Sequence, residues 1–90
     1  FWAEPNPIRV CDGLPLGQTI LHWNLTAPPF EFEIRVGAPD GELMAQVEPR
    51  GFAPTGRWVR DGMEFFVVAA ENGRTIAHTA VGVTTEGCPQ

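Results

Sequence analysis

The clearest pattern in this chain is an alternation of apolar and charged residues between positions 30 and 36. In the segment Phe30-Glu31-Phe32-Glu33-Ile34-Arg35-Val36, every even position is large and apolar and every odd position is charged. A period of two is typical of a β-strand that packs one face on a core and exposes the other. An α-helix would distribute the same apolar side chains around its circumference. We therefore predict a half-buried strand over residues 30–36.

A second strand is predicted at Gln18–Trp23, where Thr19, Leu21 and Trp23 share one face. If Trp23 faces the core, His22 faces outward, because successive side chains of a strand point to opposite sides. The segment Ala27-Pro28-Pro29 then interrupts strand pairing, since proline has no N–H group to donate.

Further short strands, separated by turn residues, are predicted along the rest of the chain. After an extended lead-in at Phe1–Pro7 they are Ile8–Cys11, a weak edge strand at Leu43–Val47, Arg57–Arg60, Met63–Ala70 and Thr79–Thr85. The turns are Pro39-Asp40-Gly41, Asp61-Gly62 and Asn72-Gly73, of which the last is the strongest hairpin signal. Glu48–Gly56 is rich in Gly and Pro and receives no assignment. Spacing of about 8–12 residues without any helical period predicts an all-β, seven-stranded antiparallel sandwich.

The register of the last hairpin is ambiguous in the sequence. A two-residue loop at Asn72-Gly73 would pair His78 with Val67 and point it toward the core. The same register would place Val81 opposite Glu64, on the wrong face. We therefore expect a longer loop or a β-bulge in this hairpin.

Size and composition limit the function. A chain of 90 residues forms one domain, residues 1–90, and its first residue, Phe1, suggests a piece of a larger protein. The net charge of −5, with six arginines among eleven carboxylates, disfavours nucleic acid. No apolar run is long enough for membrane insertion, and no signal peptide is recognisable. The sequence has no Ser, Lys or Tyr, so it lacks a serine nucleophile and a phosphate-loop lysine.

The two cysteines, Cys11 and Cys88, lie near opposite ends of the chain. A disulfide between them would close most of the chain and indicate an oxidising, extracellular or cell-surface location. The alternative is two free thiols in a reduced cytosol. Metal binding is not expected, because no pair of cysteines or histidines has ligand spacing, and no cofactor motif is present.

Candidate binding residues are aromatic and aliphatic rather than catalytic. If Phe65 faces the core, Phe66 and Val68 face outward on a strand that should neighbour residues 30–36, and an exposed apolar stripe often marks an interface. Trp2 and Trp58 could stack on a sugar ring if they are exposed. The alternative is that Glu48–Gly56, or Phe1-Trp2 folding back, covers this stripe.

Several segments together resemble fibronectin type III and related immunoglobulin-like domains. Leu21-His22-Trp23 followed by Thr26-Ala27-Pro28-Pro29 looks like their second strand, whose Trp is buried beneath the sheets, and Glu33-Ile34-Arg35-Val36 looks like their third. Val59–Phe65 resembles the corner at which an aromatic follows a turn, and Gly82–Thr85 resembles a terminal strand. Phe65 departs from the family, which usually has a Tyr whose hydroxyl bonds back to the chain.

The resemblance implies a non-catalytic accessory module that spaces or docks neighbouring domains of the same polypeptide or another protein. Bacterial proteins that carry such domains often append them to transferases, hydrolases or surface proteins. The alternative is a carbohydrate-binding module, which needs two or three coplanar exposed aromatics. A small enzyme would need His22 or His78 within hydrogen-bond reach of a carboxylate or thiol.

Overall fold

A computed structural model describes residues 1–13, 15–25 and 31–88 of the chain. Over these residues the secondary structure is entirely β, and no helix able to cross a membrane is found among them. The strands are β1 (Trp2–Glu4), β2 (Ile8–Arg9), β3 (Ile20–Asn24), β4 (Phe32–Val36), β5 (Glu42–Val47), β6 (Arg50–Pro54), β7 (Met63–Ala69), β8 (Thr75–Val81) and β9 (Val83–Thr84). The predicted break at Ala27-Pro28-Pro29, together with Thr26 and Phe30, lies outside the described residues.

The strands form two antiparallel sheets and one parallel pair. The first sheet has the order β1-β3-β6, the second the order β5-β4-β7-β8, and β2 runs parallel to β9. The prediction of an all-β fold with antiparallel sheets is confirmed. The described residues nevertheless contain nine strands where seven were predicted, and the β2–β9 pair is not antiparallel.

One hydrophobic core is formed by the buried faces of both sheets. It includes Leu21 and Trp23 of β3, Phe32 and Ile34 of β4, and Phe65 and Val67 of β7. The alternation in the sequence correctly identified the inward positions of β3 and β4. The Trp23 indole N–H donates to the Glu48 carbonyl at 2.8 Å, so the buried ring leaves no polar atom unpaired.

Some of the predicted boundaries were wrong. Arg57–Arg60 is not a strand, because Val59 pairs with Gly17 only through an isolated bridge, although its side chain is fully buried. The lead-in at residues 1–7 contains β1, and the unassigned segment 48–56 contains β6. The first predicted strand ends at Arg9, and the last begins already at Thr75 and is interrupted at Gly82.

The β7–β8 hairpin contains the expected irregularity. Its register shifts between Val67 and Val68, so that Val81 lies opposite Met63. His78 consequently lies opposite Phe66 and is exposed on the outer face of the second sheet. The bulge thus resolves the conflict, because it buries Val81 and keeps the histidine out of the core.

Cys11 and Cys88 form a disulfide immediately beyond the β2–β9 pair, with their Cα atoms 5.4 Å apart. Two backbone hydrogen bonds join the segment before Cys11 to the segment before Cys88 and bring the cysteines together. The Ile8 N–H donates to the Gly82 carbonyl, and the Val10 N–H donates to the Thr84 carbonyl. The predicted pairing of the two cysteines is confirmed.

Asn6 covers the end of the β8 edge. Its side-chain amide donates to the Ala80 carbonyl at 3.0 Å, and its carbonyl oxygen accepts from the Gly82 N–H at 3.0 Å. The side chain therefore replaces a neighbouring strand at this point of the edge. This contact and the bulge farther along β8 leave only a short stretch of the edge free to pair with another chain.

Candidate functional site

A row of aromatic rings crosses the outer face of the first sheet. Trp2 of β1 lies opposite His22 of β3, and His22 lies opposite Phe52 of β6. The Trp2 and His22 rings stack with centroids 5.3 Å apart and planes inclined by 11°. The Phe52 ring lies 6.3 Å from His22 and is tilted by 35°. The strand register therefore aligns three rings that are distant in the sequence.

These rings belong to a larger outward surface, which we call the aromatic face. It consists of the residues of this sheet that alternate with the inward-facing ones: Trp2, Glu4, Ile20, His22, Asn24, Arg50, Phe52 and Pro54. Phe52 is 69% exposed and Trp2 is 47% exposed. Large apolar side chains left this open on one sheet face are typical of a binding surface.

The charges of the aromatic face lie at its corners. Glu4 shares a row with Ile20 and Pro54, whereas Arg50 shares a row with Asn24 at the other end of the sheet. Both charged side chains are exposed. Neither forms an ion pair with any residue that the structure describes. The surface between them carries aromatic, aliphatic, imidazole and amide groups.

Contacts beneath the sheet hold β6 in position. Gly51 lies directly over Trp23, and a Cβ atom at residue 51 would be 3.1 Å from Trp23 Cζ2. The absent side chain lets β6 approach the buried indole closely. Phe52, the next residue, points to the opposite side of the strand and faces solvent.

The start of the chain is fixed in a similar way. The buried Thr19 hydroxyl donates to the Pro5 carbonyl at 2.7 Å, just after β1. Thr19 also forms two hydrogen bonds with Thr55, just after β6: the Thr19 N–H donates to the Thr55 hydroxyl, and the Thr19 carbonyl accepts from the Thr55 N–H. One threonine therefore ties both edge strands of the aromatic face to β3.

The structure does not bring together the four residues that the sequence singled out. Trp2 belongs to the aromatic face, whereas Phe66 and Val68 lie on the outer face of the second sheet, where Phe66 stacks on His78 at 5.8 Å. Neither predicted cover applies, because Trp2 and segment 48–56 contribute to the first sheet.

Val68 does not have the exposure that was expected. It faces away from the core but is only 1% exposed. Glu33 lies opposite it on β4, and Glu33, Arg35 and Pro39 line the same depression. The ion pair between Arg35 and Glu33, at 2.9 Å, lays two long side chains across this part of the sheet. Val68 is therefore a packed residue rather than part of an open stripe.

Trp58 lies apart from the other candidates. It is 36% exposed, and its ring packs against the buried Phe65 at 5.9 Å. With Leu43, Met44 and Met63 it lines a groove between β5 and the connection from β6 to β7. Apolar residues form most of the lining of this groove, and Trp2 is not among the residues that line it.

The ring contacts of both histidines are with aromatic side chains. In the described part of the chain, no hydrogen bond joins His22 or His78 to a carboxylate, and both cysteines are in the disulfide. Over the same residues no group of three or more His, Cys, Asp or Glu side chains is arranged to hold a metal ion.

Comparison with known proteins does not identify a relative. No protein-family model matches the chain, and searches of curated proteins and of solved structures find no significant match. The function must therefore be inferred from the chemistry of the aromatic face.

Proposed function

We propose that this chain is a non-catalytic interaction module with an immunoglobulin-like, fibronectin type III-related sandwich, and that it docks a protein through the aromatic face. The observation that carries the proposal is the exposed row Trp2–His22–Phe52. The docked protein is a neighbouring domain of the same polypeptide or a separate chain.

The composition of the aromatic face suits a protein interface. Trp, Phe and Arg are enriched in such interfaces, and a few buried aromatic side chains supply most of the binding energy. Burying a side chain such as Phe52 contributes roughly 1.5–3 kcal/mol. Glu4 and Arg50 at the corners correspond to the polar rim that surrounds an apolar centre.

Two features support the immunoglobulin-like assignment. Two antiparallel sheets share one core, and Trp23 on β3 is buried in it. The buried Phe65 occupies the corner position without the hydroxyl that a Tyr would supply, and its ring packs on Trp58 instead. This position departs from the family pattern and does not itself support the assignment.

The geometry favours protein docking over carbohydrate binding. A sugar ring stacks on an open aromatic face, and a binding module of this kind needs several such faces in one plane. Trp2 and His22 stack on each other, so the facing surfaces of both rings are already occupied. Trp58, the other exposed tryptophan, lies in a separate groove.

Hydroxyl-radical labelling tests the proposal. Labelling of Trp2 and Phe52 is compared between the dilute purified chain and the protein as isolated from its source, with the exposed Ile76 of β8 as the internal control. We expect labelling of the two aromatics to fall several-fold in the native material while that of Ile76 stays the same. Equal labelling in both samples would contradict docking. Binding on a glycan array that is lost in Trp2→Ala would support the carbohydrate alternative instead.

A further inference from the structure

The partner of the aromatic face can be inferred from the arrangement of its charges. Resting on the proposed docking function, we infer that this partner is a second copy of the same chain, bound face to face about a two-fold axis. The strand register, the exposure of the face and the positions of its charged residues support this assignment.

The register fixes the layout of the face. Its rows are Glu4–Ile20–Pro54, Trp2–His22–Phe52 and Asn24–Arg50. His22 is at the centre, on the middle strand. Glu4 on β1 and Arg50 on β6 occupy diagonally opposite corners, because they lie on the two edge strands and in the two outer rows.

A symmetric dimer requires this kind of self-complementarity. In a two-fold interface the same patch of both copies meets. If one residue of the first copy contacts a second residue of the other copy, the reverse contact forms as well. We place the two-fold axis in the plane of the interface, through His22 and along the diagonal that contains neither charged residue. Rotation about this axis brings Glu4 of each copy to Arg50 of the other. Two ion pairs then form by symmetry from one residue of each sign.

The apolar groups fit the same operation. The axis that pairs the charges also places Phe52 of one copy over Ile20 of the second copy. Trp2 then lies over Asn24 of the second copy, where the indole N–H can donate to the side-chain amide oxygen. The most exposed ring of the face is thus buried against an aliphatic side chain rather than against a charge.

Charge balance favours a second copy over an unrelated partner. Where charge selects a different protein, a patch of one sign on one partner meets a patch of the opposite sign on the other. The aromatic face carries one positive and one negative residue, although the whole chain has a net charge of −5. It is therefore a neutral region where two acidic copies can approach each other.

The contact is small, which sets the expected strength. The eight residues of the aromatic face are fewer than the roughly 20–30 residues a side of a standard interface. We therefore expect a reversible dimer whose population depends on protein concentration. Because charge pairs at the rim control pairing, exchanging their signs should change dimerisation strongly.

Sedimentation equilibrium of the purified chain tests the inference. Concentrations from about 10 μM to about 1 mM cover the dissociation constants expected of a weak dimer. Glu4→Arg and Arg50→Glu should each weaken the dimer by about tenfold or more, because each replaces two attractions with two repulsions. The double variant should restore it, and Phe52→Ala should abolish it. Glu64→Arg, which makes the same charge change on the outer face of the second sheet, should leave it unchanged. Near-ultraviolet circular dichroism confirms that each variant is folded.

Each other outcome would overturn the inference. A chain that stays monomeric at the highest concentration has no such dimer; if Trp2 and Phe52 are still protected from labelling in the native material, the docking function stands with another partner. A dimer that survives both Phe52→Ala and Glu4→Arg uses a different surface. Weakening by both single variants without rescue in the double variant would refute the diagonal pairing of Glu4 with Arg50.

Discussion

Removal of the disulfide should destabilise this domain more than the loss of any one of its hydrogen bonds. The double variant Cys11→Ala/Cys88→Ala opens a loop whose ends are 77 residues apart in the sequence. In the loop-entropy treatment a closed loop of this length contributes about 4.5 kcal/mol by restricting the unfolded chain. A domain of 90 residues has a total unfolding free energy of roughly 5–13 kcal/mol. The bridge therefore accounts for a third or more of the stability.

The loss should begin next to the bridge. The parallel pair consists of two strands of only two residues each, Ile8–Arg9 and Val83–Thr84. Its main connections are the hydrogen bonds from Ile8 N–H at 2.7 Å and from Val10 N–H at 2.9 Å, together with burial of these two side chains. Short strand pairs are marginal in water when nothing else joins them. Amide exchange at residues 8 and 10 should therefore accelerate before exchange in β4 and β7 does.

Guanidinium denaturation followed by tryptophan fluorescence measures the effect. The double variant should unfold at a much lower denaturant concentration than the oxidised chain, and the wild-type chain under strong reductant should behave like the variant. A decrease of less than about 1 kcal/mol in the free energy of unfolding, shared by both samples, would refute the loop-entropy argument. A decrease in the variant alone would point instead to poor packing of the alanines.

Four further substitutions, the last two as a matched pair, test other contacts by chemical denaturation. Asn6→Asp removes the donor to the Ala80 carbonyl and should cost about 1 kcal/mol, and an unchanged midpoint would show that the edge does not need this amide. Thr19→Val deletes a buried hydroxyl that bonds a backbone carbonyl and should cost about 1–2 kcal/mol, with faster amide exchange in the first sheet; a gain in stability would contradict its anchoring role. Val68→Ala should cost about 2 kcal/mol because the side chain is packed, whereas Ile76→Ala on an exposed edge should cost under about 1 kcal/mol. Equal costs for this last pair would indicate that Val68 is open to water in solution.

The strands that could be predicted are those that contribute large side chains to the core. In β4 the inward positions are bulky and their neighbours are charged, and in β3 the bulky Leu21 and Trp23 flank the polar His22, which produces a period of two. β6 gives no such signal, because its inward residues are the small Gly51 and Ala53 and its large residue, Phe52, faces water. In β6 the large side chain therefore faces outward and the small ones face inward, which is the reverse of the pattern that predicts a buried strand. This strand supplies the most exposed ring of the aromatic face.

The candidate site was harder to predict than the fold. Trp2 was recognised as a candidate because of its residue type alone, and His22 was correctly expected to face outward. Their alignment with Phe52 depends on the pairing of three strands whose contacts span about fifty residues of sequence, a register that local periodicity does not encode. The only local signal for Phe52 was a large aromatic between small residues in a segment otherwise rich in Gly and Pro.

The position of β1 relative to the disulfide has a mechanical consequence. Trp2 and Glu4 precede Cys11, whereas the rest of the aromatic face lies within the loop that the bridge closes. Tension applied to the chain before β1 and after Cys88 would pass through the sulfur–sulfur bond and leave residues 12–87 without load. The segment before Cys11 would bear the force, so β1 would be peeled from β3, and the core side chains of that segment, Ala3, Ile8 and Val10, would be pulled next. Pulling would thus dismantle the docking surface and release its partner while the chain between the two cysteines bears no load.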